Sequence, residues 1–129
     1  MNPIDPIPAI RRIETDRGDV CALEIVGHVS DGDIENAYGL IDAVAMMHET
    51  IDILVRVTDY EGIDWSAIFM EDGEAQKPAR KFAFVGGPGL IRTAMTTFGP
   101  FKAEERRNFD YDHEAEAWEW IGATPLPAE

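Results

Sequence analysis

Ile51-Asp52-Ile53-Leu54-Val55-Arg56-Val57-Thr58 is the stretch that decides the fold. Its apolar residues run almost without a break, rather than alternating with polar ones. Such a run marks a strand covered on both faces, as strands are when helices flank a parallel sheet. One cation interrupts it. A guanidinium in a covered strand needs a partner, because an unpaired buried charge is very costly. An acidic side chain from a neighbouring helix, a bound carboxylate or phosphate, or water reached from a strand end would each serve Arg56.

Upstream, Ser30-Asp31-Gly32-Asp33 reads as a helix start. Ile34, Ala37, Tyr38, Ile41, Val44, Ala45 and His48 follow at helical spacing. Val20 to Val29 and Ile10 to Thr15 read as strands joined by the turn Asp16-Arg17-Gly18-Asp19, which suggests an antiparallel hairpin. Downstream, Asp59 to Asp64 reads as a loop, and Asp64 as the cap of a helix carrying Trp65, Ile68 and Phe69 that ends by Pro78. Lys81 to Val85 is a strand. Gly86-Gly87-Pro88-Gly89 then leads into a helix, with Pro88 as its first residue and Leu90, Ile91, Ala94, Met95 and Phe98 as its buried stripe. Gly99-Pro100 stops it. Glu104 to Phe109 is a last strand, and Asp112 caps a closing helix whose Ala115, Trp118 and Ile121 face inward. The order β-β-α-β-α-β-α-β-α implies an α/β fold: a mixed, mostly parallel sheet with helix cover. We expect an extended Pro-rich tail over residues 1–9, one domain over 10–123 and a C-terminal tail over 124–129.

At 129 residues, 45% apolar and 28% charged, the chain can bury a core without disulfides or metal. Its net charge of -14 argues against duplex DNA or an anionic membrane as main partner, since both reward cationic surface. A single cysteine, Cys21, excludes an internal disulfide framework and a multi-cysteine zinc site; in a strand it reads as a buried, inert thiol. Nothing near Met1 resembles a signal peptide, and no run approaches the ~20 apolar residues of a membrane span, so a cytoplasmic protein is expected. Residues 77 to 107 carry seven of the eleven basic side chains and a segment charge of +5, in a chain otherwise acidic. Such a segment pairs with the chain's own acidic faces, with an identical subunit or with an anionic ligand.

Four stretches together resemble the SpoIIAA-like, STAS-related proteins. They are Gly27 to Asp33 after a strand, Asp52-Ile53-Leu54-Val55 with Asp59 to Trp65, Lys81 to Gly86, and Arg107-Asn108-Phe109 with Glu114 to Ile121. They stand in the family's order over residues ~20 to ~121. The resemblance implies a small α/β fold and a non-enzymatic role. That role is either binding of an apolar or lipid-like ligand, or partner switching with another regulatory protein. Regulatory members carry a phosphorylatable serine at the start of the second helix. Ser66 lies near that place, although Asp64-Trp65-Ser66 departs from their Asp-Ser-Ser-Gly-type sequence.

Among candidate sites, an apolar ligand would lie between helices near Trp65, Phe69, Met95 and Phe98. Gly86, Gly87 and Gly89 offer amides at a helix start that suit an anion, or simply a turn that needs positive φ. Asp59, Glu61 and Asp64 could do acid-base chemistry as a small hydrolase, hold a divalent cation, or be a solvated loop. Ser66 and Ser30 are the candidate phosphosites. Trp118 and Trp120 are two apart on a helix and cannot both face the core, so one should be partly exposed. His28, His48 and His113 have no metal-ligand spacing. No catalytic residue, metal or cofactor is assigned, and a homodimer is expected.

Overall fold

The computed structural model describes residues 9–64, 79–97 and 103–126. Five strands, β1 (Ile10–Ile13), β2 (Val20–Val29), β3 (Asp52–Ile63), β4 (Ala79–Val85) and β5 (Ala103–Phe109), form one sheet in chain order. β1 runs antiparallel to β2, and the other pairs are parallel. Helices α1 (Asp31–Ala45), α2 (Gly89–Thr97) and α3 (Glu114–Ile121) accompany it. The mixed, mostly parallel sheet is the expected one. The helix expected around Trp65, Ile68 and Phe69 lies outside the described residues.

The sheet is covered unequally. On one face Leu23, Ile25, Ile53, Val55, Phe82 and Phe84 meet α1, whose Ile34, Ala37, Tyr38, Ile41 and Val44 form the buried stripe read from the sequence. Each such large side chain contributes ~1.5–3 kcal/mol on burial. On the other face Ala22, Leu54, Ala83 and Val85 meet α3, the one helix there among the described residues, through Ala117, Trp118 and Ile121. β3 is thus covered on both faces, as its apolar run requires.

Helix α1 starts where Ser30 predicts. The Asp33 amide donates to Ser30 Oγ (3.3 Å), and the Ser30 amide donates back to Asp33 Oδ2 (2.8 Å). It ends at Ala45, so His48 falls in the turn after it. That turn exposes Met46 and Met47 and returns the chain to β3.

Other expectations need correction. Asp59 to Ile63 is not a loop but the end of β3, which pairs with β2 as far as Val29. Thr58 and Glu61 are the extra residues of two bulges, and these broke the alternation that would have marked a strand. Leu90 is 73% exposed, while Ile91 is buried. Adjacent helical residues lie ~100° apart, and the turn into α2 gives the sheet contact to Ile91. Pro88 stands just outside α2, its carbonyl accepting from the Arg92 amide (2.9 Å). Asp112 does not cap α3; a 3-10 turn, Tyr111–His113, precedes it. Starting at Glu114, α3 buries Ala117 and leaves Ala115 exposed. Trp118 is buried and Trp120 half-buried, as two tryptophans two apart demand.

At the N-terminal edge of the parallel strands sits a carboxylate, Asp52, 1% exposed. Arg80 grips it through Nε (3.1 Å) and Nη2 (2.7 Å), the Lys81 amide donates to it (3.2 Å), and Arg17 Nη2 reaches it at 3.4 Å. Arg17 also clasps Asp19 and donates to the Ile121 carbonyl at the end of α3 (2.9 Å). The chain after α3 returns to the same corner, where the Leu126 amide donates to Glu14 and the Asp16 amide to Thr124.

Removing one partner of a buried ion pair costs ~3–5 kcal/mol, and less where the other partner is exposed. Arg80 is partly exposed, so Asp52→Asn should lower unfolding stability by about 2–3 kcal/mol. Urea denaturation measures it, and a loss below about 0.5 kcal/mol would show the network to be incidental.

Candidate functional site

In open α/β sheets, ligands bind beyond the carboxyl ends of the strands. Among the described residues that edge carries an apolar and a polar concavity, on opposite faces.

The apolar one lies under α1 and α2. Val55, Val57 and Phe84 form part of its floor, Ile34 and Ile91 come from the two helices, and Tyr60 and Ile63 close it from the extension of β3. The empty space is about 10 Å³, room for about one water. Burial raises the pKa of Tyr60. Trp65, Phe69 and Phe98, and the side chain of Met95, lie outside the described residues. The described residues therefore bring together none of the four side chains named for the apolar ligand.

The polar concavity lies on the other face, beyond the start of α3. It is an open cleft of about 290 Å³ lined by Glu24, Arg56, Thr58, Tyr111 and Glu114. Arg56 Nη1 donates to Glu114 (2.9 Å) and Nη2 to Glu24 (2.9 Å), so its partners are a carboxylate from a helix and one from the adjacent strand. Its Nε is buried and has no hydrogen-bond partner among the described residues. Burial opposes the Arg56 charge, but the bonds to Glu114 and Glu24 outweigh it and raise the pKa. The Thr58 hydroxyl donates to Glu24 (2.6 Å) and, together with Arg56, holds that carboxyl below its ordinary value. Trp118 Nε1 donates to Glu114 (3.0 Å).

Glu24, Thr58, Tyr111 and Glu114 were missed in the sequence. One signal was there: Glu24 has the same strand parity as buried Val20 and Ala22, as Arg56 has with Leu54. Two charges of opposite sign at interior parity in neighbouring strands suggest each other as partners.

The remaining candidates place as follows. Asp64 is held by His28 (2.8 Å), and Asp59 and Glu61 are exposed. Among the described residues no three metal-ligating side chains come together. The His28 ring lies over Gly62, whose φ is +130°; a Cβ there would fall 2.8 Å from His28 Nδ1. In the Gly86-Gly87-Pro88-Gly89 turn, Gly86 and Gly87 have positive φ. The Gly86 amide donates to the Phe109 carbonyl (2.9 Å), so it is engaged within the sheet. A side chain at Gly86 would strike the Val57 carbonyl (2.8 Å) and the Tyr111 ring (3.0 Å). Cys21 is buried in β2, which pushes its thiol up to about 11. Ser30 is spent on the α1 cap, and Ser66 lies outside the described residues.

Two outcomes follow from this geometry. Arg56→Met strands two half-buried carboxylates and should cost about 1–3 kcal/mol in urea denaturation; adding Glu24→Gln and Glu114→Gln should restore part of it. The bond to Asp64 raises the pKa of His28. The charged pair is therefore complete below the ordinary histidine value and is lost as pH rises through the raised one. An NMR titration should place the His28 midpoint above 6.5, and Asp64→Asn should bring it back.

Comparison with known proteins agrees with this architecture. The crystal structure, at 2.25 Å, of an uncharacterized protein of the DUF3478 family with a SpoIIAA-like fold, from Shewanella loihica PV-4, superposes with a TM-score of 0.57. The superposition covers 92% of this chain and 98% of that one, at 18% identity, and so bears on the fold alone. No curated protein matches the sequence. The SpoIIAA-like family profile matches residues 20–122, which take in β2 through α3. The chain belongs to the SpoIIAA-like family.

Proposed function

We propose that the protein is a non-catalytic binding module whose ligand is a small apolar or amphipathic molecule seated between the sheet and helices α1 and α2. The observation that carries this is the apolar concavity at the carboxyl ends of β2, β3 and β4, where α/β sheets bind ligands. Trp65, Phe69, Met95 and Phe98 complete its walls in this proposal. A void of about 10 Å³ is no larger than one water, so a ligand enters by taking the place of apolar side chains. Contact exchanges for contact, and little hydrophobic burial is lost. Membership of the SpoIIAA-like family supports an interaction role rather than catalysis. No helix among the described residues is long and apolar enough to cross a membrane. We take the working form to be a cytoplasmic homodimer.

Native mass spectrometry of protein purified from cells, set against the denatured mass, tests this. Excess mass that solvent extraction removes, with 1-anilinonaphthalene-8-sulfonate fluorescence rising once the protein is extracted, is the expected result. A clean multiple of the chain mass with no probe binding would overturn the apolar-ligand reading. The family's other role, a protein partner switched through Ser66, would then take its place.

A further inference from the structure

We infer that the cleft around Arg56 is a second binding site, one that takes a small organic cation through its guanidinium or ammonium group. It lies on the face opposite the apolar concavity and does not depend on that reading. The cleft holds about 290 Å³ of open space, near the lower end of small-molecule pockets at ~300 Å³. It lies beyond the start of α3, so the strands themselves supply its floor. Glu24 comes from β2, Arg56 and Thr58 from β3, and Tyr111 and Glu114 from the chain that enters α3.

The lining groups are held in place, and what they leave open is of one kind. Glu24 Oε2 accepts from Thr58 (2.6 Å) and Arg56 (2.9 Å), and Glu114 Oε2 from Arg56 (2.9 Å) and Trp118 (3.0 Å). The Oε1 of each carboxylate accepts no hydrogen bond among the described residues. The Tyr111 hydroxyl reaches the Thr58 carbonyl at 3.4 Å, and its ring lies so close to Gly86 that a Cβ there would stand 3.0 Å from it. That ring is nonetheless 52% exposed. The cleft therefore presents carboxylate acceptors beside an aromatic surface. Guanidinium and ammonium groups carry several donors and no acceptor, and both are attracted to aromatic faces.

Charge selects a cation over an anion. Two carboxylates in the lining stand against one guanidinium, and an anion would meet Arg56 already placed between them. Residues 110 to 119 add five acids with no lysine or arginine. The bonds from Thr58 and Arg56 hold the Glu24 carboxyl below its ordinary value, so it is ionised at neutral pH. A chain of net charge -14 also draws cations toward it. Stability alone does not call for this arrangement, because ion pairs withdrawn from water are often no more stable than packed apolar side chains. An acid at a helix start answers the helix dipole, which accounts for Glu114, but Glu24 stands in a strand.

Butylguanidine and its neutral isostere butylurea test the site on the intact chain. In an NMR titration, butylguanidine should move the amide resonances of residues 24, 58, 111 and 114. Butylurea should bind about tenfold more weakly, the loss of one charge-assisted hydrogen bond. Glu24→Gln should weaken butylguanidine about tenfold, and Tyr111→Ala about threefold. Should Glu24→Gln unfold by circular dichroism, Tyr111→Ala decides, since it changes an exposed side chain. An arginine side chain carries the same group, so acetyl-Gly-Arg-Gly-amide should bind no more tightly than butylguanidine. A gain of about tenfold or more would move the cation to a protein partner and overturn the small-molecule assignment. No shift at millimolar butylguanidine, equal binding of butylurea, or binding indifferent to the variants would overturn the site itself.

Discussion

The Asp52 carboxylate is the constraint on which the rest of the structure depends. It begins β3, the middle strand, and it is almost wholly removed from water. A carboxylate there is tolerable only while hydrogen-bonded and neutralised. Its three partners come from two separate stretches: Arg17 in the β1–β2 turn, and Arg80 with the Lys81 amide at the start of β4. Arg17 extends the link to the end of α3. Satisfying one charge therefore sets the register of β3 against β4 and fixes where the closing helix ends. Hydrophobic burial supplies most of the stability but has no direction. Asp52 supplies direction, because neighbouring strands cannot slide without stranding it.

The two ends of the sheet consequently differ in kind. The amino-terminal edge is closed by ion pairs that hold elements to one another. The carboxyl-terminal edge is where helix cover thins, bulges lengthen β3, and glycines of positive φ set the turns. Concavities gather there on both faces, one apolar beneath α1 and α2, the other polar around Arg56. The difference between them follows from helix length. α1 has fifteen residues and follows the sheet, whereas α3 has eight and reaches only part of the opposite face. Beyond the start of α3, Glu24, Arg56 and Thr58 take the place of the aliphatic residues that a longer helix would have required.

The sequence made the regular parts legible. The unbroken apolar run of β3, the capped 3.6-residue stripe of α1 and the Gly86–Gly87 turn all follow from local rules. So did the need of Arg56 for a partner, with an acidic side chain, a bound anion and water as the alternatives; the structure supplies two carboxylates. What stayed hidden was set by distant parts of the chain. The bulges at Thr58 and Glu61 shift the pleat by one residue each, which erases the alternation that marks a strand. The sequence places Leu90 and Ala115 inward because local periodicity leaves the helical phase open. Contact with the sheet fixes the true phase, and Gly86 and the 3-10 turn set it. Glu114 as the partner of Arg56 required knowing that α3 crosses back over β3, fifty-eight residues away in the chain.

Charge distribution joins these observations. A chain of net charge -14 concentrates its cations in β4, β5 and the segment around them. Much of that basic character is spent internally. Arg80 neutralises Asp52, Arg92 donates to the Gly87 carbonyl (3.0 Å), and Lys81 donates to the Trp120 carbonyl (2.9 Å). Lys81 and Arg107 also sit over the Trp120 ring, at 5.1 and 5.5 Å. A half-buried tryptophan beneath two cations gains cation–π attraction while its exposed apolar surface is reduced. The basic segment therefore need not attract a polyanion to explain its composition. It closes the structure on one side of the sheet, where Arg80, Lys81 and Arg107 are held by a carboxylate, a carbonyl and an indole ring of the chain itself.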